Sequence, residues 1–122
     1  MILADSSVWI DHLRGGDAVL IDRLDRGQIL AHPFVIGELA LGNLRRRALI
    51  LESLRGLPQA IVASDDEVLG FIEAQALFGW GIGYVDAHLL AAVRLTAGAL
   101  LWTRDKRLLA AAKRLDVAIE PD

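Results

Sequence analysis

Four carboxylates stand where an otherwise apolar chain has little use for them. Asp5 ends the run Ile2-Leu3-Ala4, and Glu38 lies between Val35-Ile36-Gly37 and Leu39-Ala40-Leu41. Asp86 sits between Tyr84-Val85 and Ala87-His88-Leu89-Leu90, and Asp105 closes Leu100-Leu101-Trp102-Thr103-Arg104. A lone carboxylate buried without a partner costs several kcal/mol, so each of these needs one. Singly, Asp5 and Asp105 read as caps of the helices that follow, and Asp86 as a first-turn acid favoured by the helix dipole. Glu38 is mid-helix and has no such explanation. Together the four are an all-oxygen donor set, and without cysteine in the chain such a set suits a hard cation, Mg²⁺ or Mn²⁺. A phosphodiester is the natural substrate of such a site, because the ion activates a water and neutralises charge in the transition state. Ser6, Ser7 and Thr103 stand beside Asp5 and Asp105 and offer hydroxyls for a phosphate oxygen or a bound water, or for capping.

The chain must bring these acids together, and its patterning says how. Ile2 to Ala4 reads as a buried strand delivering Asp5 into a strand-to-helix turn, where open parallel sheets place their ligands. A helix over Val8–Arg14 is broken by Gly15-Gly16. Asp17 caps a second helix to about Arg26, closed by Gly27. Gln28 to Ala31 is a short strand, and Pro33 opens a helix running through Glu38 to about Asn43. Arg46 to Leu57 is a further helix, stopped by Pro58. Ala60 to Val62 is a third strand. Ser64 with Glu67 forms a capping box for a helix carrying Val68, Leu69, Ile72, Ala76 and Leu77. Tyr84 to about Ala97 is a helix with Gly98 at its end, Ala99 to Trp102 a buried strand, Lys106 to Leu115 a helix, and Val117 to Ile119 an edge strand. Short apolar strands alternating with helices predict an α/β sandwich around a parallel sheet. With the first strand central and the 99–102 strand beside it, all four acids meet at one edge.

Length and composition agree with a single domain spanning 1–122. Hydrophobic residues make up 54% and charged residues 24%, which fits a packed core and excludes a disordered chain. Nothing in the sequence resembles a membrane span or a signal segment, so a cytoplasmic protein is expected. The net charge of −3 carries no basic footprint, yet Arg45, Arg46 and Arg47 form a run and Arg104, Lys106 and Arg107 follow the last buried strand. Arg45, Arg46 and Arg104 are the candidate phosphate contacts. Trp9 and Trp102 read as core, and Trp80, in the loop of Gly79, Gly81 and Gly83, as the aromatic best placed for RNA or a partner. That glycine spacing matches no phosphate-cradling motif.

Read in order, these segments resemble one family. Leu3-Ala4-Asp5-Ser6-Ser7-Val8-Trp9-Ile10 is similar to the opening of PIN-domain ribonucleases of the VapC toxin group. Gly37-Glu38-Leu39-Ala40-Leu41-Gly42, Asp86-Ala87-His88-Leu89-Leu90-Ala91 and Thr103-Arg104-Asp105 resemble that group's second, third and fourth motifs, collinear over the whole chain. The resemblance implies a three-layer α/β/α sandwich with a five-stranded parallel sheet. It implies a Mg²⁺- or Mn²⁺-dependent endoribonuclease acting on tRNA or rRNA to inhibit translation, as the toxin of a type II toxin–antitoxin system. It also implies a homodimer and a cognate VapB-like antitoxin. Asp5, Glu38, Asp86 and Asp105 carry over as the acidic quartet and Thr103 as an accessory hydroxyl. His32-Pro33 departs from the serine-containing version of the second motif, so no serine role transfers there.

Three other readings fit the residues less well. A non-cleaving module that grips RNA or a partner on the same fold is disfavoured by the presence of all four acids. A haloacid dehalogenase-like phosphatase needs a second Asp two residues after Asp5, where Ser7 stands. A receiver domain wants an acidic pair near the start, and Asp5 is alone there.

Overall fold

The structure is a computed structural model that describes residues 1–121. Three parallel strands form its sheet: β1 (Ile2–Ala4), β2 (Ile29–Leu30) and β3 (Leu100–Trp102), in the order β2-β1-β3. The register pairs Ile2 with Ile29 and Leu100, Leu3 with Leu30 and Leu101, and Ala4 with Trp102. Side chains alternate between the faces of a strand, yet all three residues of β1 are buried. Both faces of the central strand are therefore covered, as parallel sheets require.

The helices are α1 (Ser6–Gly15), α2 (Ala18–Asp25), α3 (Pro33–Ala40), α4 (Arg47–Arg55), α5 (Asp65–Ala74), α6 (Tyr84–Leu95) and α7 (Lys106–Arg114). Their starts follow the capping chemistry of the sequence. Asp5, Asp17, His32, Ser64 and Asp105 each accept a backbone N–H of the helix they open, and Ser64 and Glu67 close the expected capping box. Asp5 starts α1 two residues earlier than apolar periodicity indicates. α1 runs one residue past its predicted end, to Gly15, while the later helices end one to three residues early, at Ala40 for α3, Arg55 for α4, Ala74 for α5 and Leu95 for α6.

The sheet has three strands where five were expected. The segments predicted as outer strands each make one parallel bridge, Ala31 with Gln59 and Leu101 with Ala118. Pro58 offers only its carbonyl, which accepts from Ala31 N at 2.8 Å. Beyond Ala60 the chain turns out of the sheet, where Ile61 N donates to Thr96 Oγ1 at 2.9 Å. On the other edge, Val117 and Ile119 both bond to Leu101, at 2.7 and 3.0 Å. Asp116 precedes them with a left-handed φ of 60° that ends α7 abruptly.

The main core gathers Leu3, Val8, Leu20, Ile29, Leu30, Val35, Leu89, Leu90, Leu101 and Leu108 around β1. Trp9 and Trp102 are buried within it, as their apolar settings predict. Trp80 is partly buried against the same core with the Arg114 guanidinium 5.0 Å above its ring. It packs rather than standing free in the glycine loop. None of the helices described is long and apolar enough to cross a membrane.

Candidate active site

β1 and β3 lie side by side and end together, so the residues that follow them meet at the C-terminal edge of the sheet. Asp5 follows β1 and is 5% exposed. Its Oδ1 accepts the Ser7 N–H at 3.0 Å and the Ser7 hydroxyl, and its Oδ2 accepts the Thr103 hydroxyl at 2.6 Å. Thr103, buried after β3, accepts the Asp105 N–H on the same oxygen at 3.0 Å. Ser7 Oγ likewise accepts the Arg104 N–H at 3.0 Å. Two hydroxyls therefore stitch the end of β1 to the end of β3, each donating to Asp5 and each accepting an N–H from the turn after β3.

Asp105 uses Oδ1 to cap α7, accepting Arg107 N at 2.9 Å and Leu108 N at 3.0 Å. Asp86 occupies the third position of α6 and reaches back to accept Gly83 N at 3.1 Å. Glu38, in the last turns of α3, accepts the Ser6 hydroxyl at 3.3 Å. The four acids come from four different elements, and none has a salt bridge among the described residues.

Their electrostatics show that they share a neighbourhood. Burial pushes the Glu38 carboxyl above its ordinary value of 4.5; the Ser6 hydroxyl opposes this, and the charges of Asp86 and Asp5 add to it. Burial raises Asp86 above 3.8 as well, against its bond to Gly83, with further contributions from Asp105 and Asp5. Glu38 and Asp86 thus each feel the negative charge of acids from distant parts of the chain. No three Asp, Glu or His side chains among the described residues stand close enough, as they lie, to hold an ion together. The acids form an open collar in which repulsion is unrelieved.

The basic candidates divide. The Arg104 guanidinium pairs with Asp11 at 2.5 Å and with Asp17, and lies 5.7 Å from the Trp102 ring centre. Its charge is spent on α1 and on the cap of α2, not on the acidic edge. Asp17 is held below 3.8 mainly by the Leu20 N–H, with Arg104 assisting. Arg45 and Arg46 line an open cavity of about 680 Å³ together with Glu38, Ile10, Leu13 and Arg14. Arg46 has a left-handed φ of 52°, the conformation from which α4 starts. Arg47 folds back along the surface onto α3: it donates to Gly42 O at 3.1 Å and to Ala40 O, satisfying carbonyls at the end of that helix. That role was missed in the sequence, where the three arginines look alike.

Residues 2–114 match the family model for the PIN domain. The chain belongs to the PIN-domain family. Within it, the chain sides with the VapC ribonucleases. It is 50% identical over 119 residues to Ribonuclease VapC32 of Mycobacterium tuberculosis strain CDC 1551 / Oshkosh, covering 98% of this chain and 96% of the relative. The same figures hold for Ribonuclease VapC32 of strain ATCC 25618 / H37Rv. In this PIN domain Thr103 is the joint between the two central strand ends. Thr103→Val is expected to lower stability by about 1–3 kcal/mol, because Asp5 Oδ2 and the Asp105 N–H both lose a buried partner while volume is kept. Chemical denaturation of the variant beside Thr103→Ser, which restores the hydroxyl, measures this; equal midpoints for all three proteins would contradict it.

Proposed function

We propose that this protein is a metal-dependent endoribonuclease, the toxin of a type II toxin–antitoxin pair. The observation that supports this reading is that Asp5, Glu38, Asp86 and Asp105 come near one another from separate elements, none of them in a salt bridge among the described residues. The VapC32 relatives, ribonucleases by name, support the same reading.

The residues fit a divalent cation by chemistry. Four carboxylates are the hard-oxygen set that Mg²⁺ or Mn²⁺ takes, and the raised pKa values of Glu38 and Asp86, due first to burial and then to the other acids' charge, favour a cation beside them. Asp5, Glu38, Asp86 and Asp105 would hold the ion, drawn inward as their repulsion is relieved. A bound divalent cation would supply activation of the attacking water and neutralisation of charge gathering on the scissile phosphate. The protein's own part is positioning. Ser7 and Thr103 fix both oxygens of Asp5, so that carboxylate is oriented before any ligand arrives. Ser6 does the same for Glu38, and either hydroxyl could donate to a phosphate oxygen only by giving up its carboxylate.

Arg45 and Arg46, sharing their cavity with Glu38, would guide the RNA backbone toward the acids, each contact weakening with salt. Arg104 would help only indirectly, by holding the turn after β3. A tRNA or rRNA target, arrest of translation, a homodimer, a VapB-like antitoxin over the site and a cytoplasmic location complete the proposal.

The test is incubation of the purified, antitoxin-free protein with total bacterial RNA and Mg²⁺ or Mn²⁺, with mapping of the new 5′ ends. Discrete cuts that EDTA abolishes and Mn²⁺ restores are expected. A folded protein that binds Mn²⁺ and leaves all RNA intact would overturn the enzyme in favour of a binding module.

A further inference from the structure

His32 and His88 are both buried, and each has one ring nitrogen without a partner: Nε2 of His32 and Nδ1 of His88. The other nitrogens define what these atoms are. His32 Nδ1 accepts the Phe34 N–H at 3.0 Å as the cap of α3, so the neutral ring carries its proton on Nε2. His88 Nε2 lies 3.1 Å from Asp65 Oδ1, which also accepts the Tyr84 hydroxyl at 2.7 Å. An ionised carboxylate only accepts, so His88 holds its proton on Nε2 and presents Nδ1 as an acceptor. One orphan is therefore a donor and the other an acceptor.

The two rings are also neighbours. Both pack on Phe34, with ring centres 5.2 Å away for His32 and 4.6 Å for His88, and Tyr84 meets His88 edge-on at 4.7 Å. Burial and the nearby His88 bring the pKa of His32 down to about 4, which keeps its ring in the neutral form that this assignment requires. Buried polar atoms of opposite need on two rings that pack on the same phenyl group are ones that a single internal water can satisfy together.

We propose that one buried water joins His32 Nε2–H to His88 Nδ1, and that this link fixes α3 against α6 and so positions Glu38 relative to Asp86. His32 opens the helix that carries Glu38, and His88 follows Asp86 by two residues on α6. The relay runs from the α3 cap through both imidazoles to Asp65 at the start of α5, gathering three helix N-termini. Neither histidine touches a reacting atom; both are positioning residues. The effect on the two acids rests on their proposed role as ion ligands, while the link itself does not.

The test begins with long-range ¹H–¹⁵N correlation of the imidazoles in labelled wild-type protein near neutral pH. Both rings are expected as neutral Nε2–H tautomers, with the His32 proton protected from solvent exchange. An Nδ1–H tautomer for either ring, or a rapidly exchanging His32 proton, overturns the link. His32→Asn keeps a capping oxygen and removes the donor. It is expected to weaken Mn²⁺ binding about 10-fold and to lower kcat with KM for RNA unchanged, the scale of lost support behind a ligand. His32→Gln, whose amide reaches toward the lost Nε2, is expected to recover part of both. Wild-type Mn²⁺ affinity in a folded His32→Asn protein removes the positioning role; if that variant does not fold, His32→Gln carries the same measurement. Expected tautomers in a wild-type protein that binds no Mn²⁺ would leave the link standing and overturn the metal-dependent function.

Discussion

Asp5→Asn is expected to reduce RNA cleavage by about a thousandfold or more while leaving the fold in place. The removed charge belongs to the least exposed of the four acids, at the end of the central strand. Loss of one anionic ligand from a hard-cation site withdraws several kcal/mol of charge stabilisation, and each 1.36 kcal/mol is tenfold in rate. The amide is nearly isosteric, but its NH₂ must face either Ser7 or Thr103, both donors to the wild-type carboxylate. The Thr103 side is the tolerant one, because a hydroxyl oxygen has two lone pairs and can accept from the amide as well as from Asp105 N. A stability loss of about 1–2 kcal/mol is expected for that exchange. Initial rates on RNA beside a thermal melt separate the two effects. An active Asp5→Asn protein would sink the assignment of Asp5, and an unfolded one would show that the carboxylate is chiefly a strut.

Asp86→Asn is expected to move activity and stability in opposite directions. Cleavage should fall by about two orders of magnitude or more, as for any lost anionic ligand. The metal-free protein should melt about 2–5 °C higher, because the substitution removes a charge disfavoured by burial and by Asp105 and Asp5. The amide oxygen can still accept Gly83 N, so the start of α6 is kept. The sign with pH follows from a folded-state pKa above the unfolded 3.8: the folded protein binds the proton more readily. Wild type is penalised in full above the folded pKa, and the gap to the variant closes as pH falls toward 3.8. Saturating Mn²⁺ should reverse the order, since it stabilises whichever protein binds it. Melting curves across pH with and without Mn²⁺ read all of this; a variant less stable than wild type in the metal-free state at neutral pH would contradict it.

Much of this was legible in the sequence. Each helix start with a capping side chain was signalled by its residue type, as with Asp17, Ser64 and Asp105. The four acids stood out because each interrupts an apolar run. The adjacency of the first and last buried strands followed from their shared apolarity and fixed where Asp5 and Asp105 would meet. What stayed hidden depends on contacts across the chain. Arg104 sits beside Asp105 in sequence but spends its charge on Asp11 and Asp17, and nothing local announces those partners. Arg47 differs from Arg45 and Arg46 only through the carbonyls of α3 that it meets. The outer strands dwindled to single bridges because β-propensity reports a fit to a half-buried surface, and Ile61 and Val62 are exposed. Nothing local to His32 or His88 announces that Phe34 brings the two rings together.

The strand at the middle of the sheet and its partner β3 are separated by almost all of the other elements, as are Asp5 and Asp105. The central strand therefore stays unpaired on one side until those intervening elements are in place. Pairings of such long sequence separation are slow to form and expose sticky edges meanwhile. A fold that lacks β3 and the turn after it therefore has no complete acidic edge, so the site closes only with the last long-range pairing.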